Sequence, residues 1–183
     1  LTDQMPTFFY DALQQCLATS YRDNPLIHFS IDVQSPESML DKLLGNESDI
    51  GVGYFGSFPP LLSFKPAFIE KQVVCCGRAH PLFDSSEELS FEELEQHYPW
   101  IKRGYVVDHN VYHIRPKTLS ATTYHMDATA QLILAGHHVG YLPYDFAKRY
   151  EETGVMKILL PETASYEVKH HWAYRENLHK HVA

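Results

Sequence analysis

The chain has few features that mark chemistry. Three cysteines, Cys16, Cys75 and Cys76, are spread over 183 residues. That is no disulfide framework, and it fits a reducing, cytoplasmic setting. No apolar run reaches the roughly 18 residues of a membrane span, so no membrane partner is expected. No charged-then-apolar leader opens the chain, although a start at Leu1 rather than Met gives this little weight. Lys and Arg number 15 against 23 Asp and Glu, a net charge of −8. Basic residues do not cluster, which argues against nucleic-acid binding by this segment. There is no Gly-x-Ser-x-Gly elbow, no His-Glu-x-x-His and no phosphate-cradling glycine loop. No catalytic residue is assigned, the chain is read as a non-enzyme, and no cofactor is implied.

Histidine is plentiful, at twelve residues, including His137-His138 and His170-His171. Adjacent residues on a strand point to opposite faces, and no Cys or Asp cluster completes a known ligand spacing. They read as scattered side chains, and no metal site is assigned. Apolar residues make up 44% and charged residues 21%, ordinary for a globular chain with a sizeable core.

The most informative stretch runs from Ser35 to Phe55. Ser35 suits an N-cap and Pro36 a first helical position. Leu40, Leu43 and Leu44 form a stripe at helical spacing, and Gly45 is the expected left-handed stop. Ile50-Gly51-Val52-Gly53 follows as a short strand with little bulk. Ligands in open α/β sheets bind beyond the carboxyl ends of strands, here near Tyr54 and Phe55.

Elsewhere the pattern predicts a helix over 6–22 and a strand over 27–33, where apolar and polar residues alternate. Residues 62–69 read as an extended, proline-broken run and 70–76 as a strand. Ser90 and Glu93 make a capping box for a helix over 91–97. A strand ends at Lys102 and Arg103, and a short helix is expected over 110–114. A helix over 127–135 stops at Gly136, and 139–142 is a buried strand. A helix over 144–151 and strands over 156–160 and 166–174 close the chain. The strand–helix alternation predicts a parallel-rich sheet. Cys75 and Cys76 point to opposite faces as small buried hydrophobes, and His80 belongs to a structural turn.

Three segments resemble the effector-binding domain of the LysR-type transcriptional regulators. They are Leu43 to Val52, the Val73 to Phe83 strand with its His80-Pro81-Leu82 turn, and Leu132 to Pro143 with Gly136-His137-His138-Val139-Gly140-Tyr141-Leu142-Pro143. They occur in the family's order, and the resemblance covers nearly the whole chain. It implies an α/β, two-lobed, periplasmic-binding-protein-like (type 2) fold with two crossovers and an interlobe cleft. Residues 1–74 and 144–183 would form a discontinuous first lobe, and 75–143 an inserted second. The family's winged helix-turn-helix has no match here, so DNA would be bound only through that missing domain. A small-molecule effector, a side-by-side homodimer and a tetramer of the full protein are implied. The rival on the same fold is a periplasmic solute-binding protein of a transporter, marked by a leader and a monomeric state.

The resemblance also places ligand contacts in the first loop, at Thr2, Asp3 and Gln4. A carboxylate at Asp3 suits a ligand with an amine better than an anion. It adds Ser35, whose helix N-terminus is an anion seat, and Tyr54 and Phe55. From the facing lobe come Arg103, Gly104 and Tyr105, then Thr122, Thr123 and Tyr141. Arg103 is the leading anion contact, because a guanidinium grips a carboxylate in two places.

Overall fold

The computed structural model describes residues 1–85, 89–104 and 115–176. The short helix expected over 110–114 lies outside them. Among the described residues are five helices and seven strands, all seven in one sheet. In chain order they are α1 Thr7–Asp23, α2 Pro36–Leu44, β1 Ile50–Gly53, β2 Ser63–Gly77, α3 Phe91–His97, β3 Trp100–Arg103, β4 Leu119–Thr123, α4 Met126–Leu134, β5 Val139–Pro143, α5 Tyr144–Glu152, β6 Met156–Leu159 and β7 Tyr166–Tyr174.

Local chemistry explains most helix bounds. Ser35 Oγ accepts from Ser38 N at 3.3 Å and Pro36 occupies the first turn of α2. Gly45 is right-handed, however, at φ −72°. The left-handed residue is Asn46, at φ 63°, so the helix runs one residue further before the reversal. Asn tolerates that region because its side chain is short and polar. The capping box of α3 forms as expected, with Glu93 N donating to Ser90 Oγ and Ser90 N to Glu93 Oε2. Gly136 is left-handed at φ 80° and ends the α4 turn.

The sheet order is β1-β7-β2-β5-β3-β4, with β6 also paired to β2. Only β3–β4 and β3–β5 are parallel, and the four other pairings are antiparallel. The parallel-rich expectation fails because β2 and β7 are long connecting strands that run against each other. Residues 62–76 do not break at Pro66. They form one 15-residue strand, and the ladder with β7 absorbs the proline as a register shift between Pro66 and Phe68.

Residues 27–33 are not a strand. Their backbone lies beside the first residue, where the Leu1 amino group donates to the Asp32 carbonyl and Gln34 N to the Leu1 carbonyl. Ile31 and Val33 remain half exposed. The alternation is real, but without a longer neighbouring strand there is no ladder to complete.

Cores form on both faces. Cys75 packs with Val73, Ile101, Ala130, Ile133 and Leu142, and Cys76 with Trp100, Leu94, Val139 and Leu159 on the other side. Burial pushes both thiols up, Cys76 to about 11. Phe146 and Ala147 of α5 and Met156 of β6 join the Val73–Cys75 group. Met39 and Leu43 of α2 pack with Phe55, Leu62 and Ala173 in a separate cluster near β1.

Candidate functional site

The first residues are clamped at the carboxyl end of β1. Thr2 N donates to the Val52 carbonyl at 3.1 Å, and Gln4 turns the chain at φ 53°. A Cβ on Gly53 would sit 2.5 Å from Thr2 Cγ2 and 2.9 Å from Met39 Cε. Only a glycine lets the loop settle onto the strand there.

From this loop Asp3 reaches the start of α4. Its Oδ2 accepts from Met126 N at 2.5 Å. His125, the N-cap of α4, provides no side-chain cap bond, so Asp3 caps the helix from 123 positions away in sequence. Burial pushes the Asp3 carboxyl up, while the Met126 bond and the Arg103 charge hold it partly down. Gln4 extends the bridge, donating to Asp127 Oδ2 at 3.0 Å and accepting from Arg149 at 3.2 Å.

A second set of polar groups lies on the long strands. Arg103 is buried, and its Nη2 donates to Gln72 Oε1 at 2.7 Å and to the Tyr141 carbonyl at 2.8 Å. Gln72 Nε2 donates to Glu70 Oε2 at 2.6 Å. The same oxygen is 3.3 Å from His170 Nε2. The His170 ring stacks on Phe68 with centroids 4.6 Å apart. The result is a polar rail that runs from Arg103 at the end of β3 through Gln72 and Glu70 of β2 to His170 of β7. Register explains it: Glu70 faces Val168 and Gln72 faces Tyr166, with His170 diagonal to Glu70.

The loop and the rail enclose a pocket of about 40 Å³, room for roughly three water molecules. Of the residues expected from the sequence, Thr2, Asp3, Tyr54 and Arg103 line it. The walls that sequence reasoning missed include Pro36, Met126 and Pro143, and Glu70, Gln72, Tyr166, Val168 and His170 on the strands. The period of two was the available signal: 70 and 72 on one strand, and 166, 168 and 170 on its neighbour, share a face.

The other expected residues sit elsewhere. Ser35 is occupied in capping α2, next to the lining Pro36. Gln4 bonds at the surface between α4 and α5. Phe55 is buried in the Met39–Leu43 cluster, because the strand's end turns that ring inward. Thr123 is buried against Thr129 at 2.7 Å and Thr122 is exposed. The Tyr124 ring lies where a Cβ of Gly104 would go. The Tyr141 ring packs between Trp100 and Tyr166, and its carbonyl accepts from Arg103. Tyr105 lies outside the described residues. Among the described residues no group of three or more His, Cys, Asp or Glu is placed to hold a metal ion, and no helix is long and apolar enough to cross a membrane.

The fold is shared with known proteins. Residues 5–183 match the family model of the LysR substrate binding domain. Among solved structures, the CcmR regulatory domain of Synechocystis PCC6803 in complex with 2-PG is similar at a TM-score of 0.72 and 17% identity, covering 92% of this chain and 83% of that one. The regulatory domain of MexT, a transcriptional activator in Pseudomonas aeruginosa, is similar at 0.65 and 15% identity, covering 89% and 82%. Full-length OxyR C199D from the same organism is similar at 0.68 and 16%, and the match covers 90% of this chain and 59% of that longer one. No curated protein sequence matches the chain. With a type 2 periplasmic-binding-protein-like fold and a family match over nearly its full length, the chain belongs to the LysR substrate-binding domains, the effector-sensing regulatory part of LysR-type transcription factors.

Proposed function

We propose that the pocket between the Thr2–Gln4 loop, the start of α4 and the β2–β7 rail is where this domain binds its effector. One observation carries the reading: Asp3, from the loop beside β1, and Arg103, at the end of β3, meet near the first turn of α4 around a mostly apolar pocket that both of them line. A ligand there touches both sides at once, so its affinity depends on how they sit relative to each other. That differential affinity is what shifts a two-state equilibrium.

The chain is divided in this reading into two lobes joined by β2 and β7. Packing supports an inserted lobe that runs from about Cys75 to about Ala164, further than Pro143. Phe146, Ala147 and Met156 pack into the Val73–Cys75 cluster, and β6 pairs with Val74–Gly77. The domain acts as a homodimer, with α1 at the interface, and as a tetramer in the full protein. The exposed Phe8 (57%) and Tyr21 of α1 and Leu26 (93%) support that placement. DNA is reached through an attached DNA-binding domain, the protein works in the cytoplasm, and it turns over no substrate.

The test is a thermal-shift screen of the chain against small metabolites, repeated on Asp3→Asn and Tyr54→Ala. A ligand at 100 times its Kd stabilises the fold by about 2.7 kcal/mol. Both variants are expected to lose most of the shift. A hit that both variants retain in full places the effector elsewhere.

A further inference from the structure

The reading of the pocket as the effector site also bears on the charge of the effector, and the inference below rests on that reading. A helix N-terminus with free N–H groups is the natural seat of a ligand's carboxylate or phosphate. At α4 the seat is already taken, because Asp3 Oδ2 lies 2.5 Å from Met126 N. Arg103 is engaged as well, donating to Gln72 and to the Tyr141 carbonyl and facing the Asp3 charge. An anion entering this pocket must displace one carboxylate and lie beside another, Glu70.

The rail points the same way. His170 is 5% exposed and lines the pocket. Its Nε2 lies 3.3 Å from Glu70 Oε2, but neither ring nitrogen makes a hydrogen bond to a described residue. A buried imidazole with both nitrogens unpartnered has an acceptor to offer a ligand's N–H. Two carboxylates, Asp3 and Glu70, line the pocket against one guanidinium, that of Arg103. Tyr54 and Tyr166 also line the pocket, and aromatic rings are compatible with a cation.

We propose that the effector is an amine whose ammonium group is held between the carboxylates of Asp3 and Glu70, with one N–H directed to a ring nitrogen of His170. The pocket's volume of about 40 Å³ suits such a compact head group, and the rest of the ligand extends toward the opening.

The test uses three matched three-carbon probes, n-propylammonium chloride, sodium propionate and 1-propanol. Each is titrated into the isotopically labelled chain at constant ionic strength and followed by amide chemical shifts. Propylammonium is expected to move the resonances of Asp3, Glu70 and His170. Asp3→Asn and Glu70→Gln are each expected to weaken it at least ten-fold, while spectra away from the pocket stay unchanged. Asp3 is partly exposed and its Asn is isosteric, so that variant answers the question even if Glu70→Gln misfolds. No response to propylammonium, or a response that Asp3→Asn leaves intact, overturns the proposal. Tighter binding of propionate or propanol at the same residues overturns the amine and leaves the effector pocket standing. Shifts confined to residues outside the pocket overturn both.

Discussion

Acid should destabilise this domain through one buried histidine. His80 is 3% exposed, and its Nδ1 accepts from Leu82 N at 3.2 Å. Burial, then the neighbouring His137 and His138, lower its pKa from 6.5 to about 4. The folded state thus holds the neutral ring, while the unfolded chain takes up a proton near pH 6.5. Between those two values the unfolded state binds more protons, so stability rises with pH and is lost as pH falls. For a group shifted from 6.5 to about 4, lowering the pH from 7 to 5 removes about 2 kcal/mol, and the full loss below pH 4 is about 3 kcal/mol.

The variant that isolates this effect is His80→Asn. The amide oxygen of Asn takes the place of Nδ1 as acceptor but does not titrate. Urea unfolding of both proteins at pH 7 and pH 5 gives the answer. With a slope of roughly 2 kcal/mol/M for a chain of this size, the wild type should lose about 1 M more in midpoint than the variant. Other titrations drop out of the comparison, including Asp3, whose raised carboxyl pKa works in the opposite direction. Equal losses in the two proteins would refute the reasoning and assign the acid sensitivity to other groups.

Leu43 is fully buried with Met39, Phe55 and Ala173, so Leu43→Ala should cost 2–5 kcal/mol in urea unfolding through the cavity it leaves. Ser90→Ala removes one half of the α3 capping box and exposes the Glu93 N–H, for about 1 kcal/mol by the same assay. A thiol reagent should modify the exposed Cys16 promptly in the native state, and Cys75 and Cys76 only on unfolding, because both are buried and their pKa values are raised. Gly53→Ala should weaken effector response as well as stability, since its Cβ pushes on Thr2 and Met39. A variant with unchanged response would mean that the loop tolerates displacement.

Local signals proved legible where a few neighbouring residues decide the structure. The capping box at Ser90 and Glu93 and the cap at Ser35 need only three or four residues, and both are present. The split of Cys75 and Cys76 between two cores follows from the period of a strand. The failures occur where a distant partner decides. Residues 27–33 have the alternation of a strand but no ladder to join. Pro66 resembles a break, yet pairing with β7 carries the strand past it through a register shift. Phe55 has the chain position of a ligand contact, but the packing of α2 on β1 claims its ring.

The site divides along the same line. Tyr54 was accessible because it follows β1 at a strand's carboxyl end, where open sheets present ligand contacts, and Thr2, Asp3 and Arg103 because the family resemblance points to their loops; all four line the pocket. Glu70, Gln72 and His170 were not, because polar residues inside a strand normally face water, and nothing local distinguishes a strand face that meets solvent from one that meets a cavity. What decides is the antiparallel register of β2 and β7, which sets His170 diagonal to Glu70 and Gln72 opposite Tyr166. β7 and β2 also lie between β1 and the β5-β3-β4 side of the sheet, so in the proposed reading the ligand-facing groups sit on the strands that join the two lobes. On that proposed reading a ligand needs no relay between lobes, because a hydrogen bond to Glu70 or His170 would load β2 or β7 directly.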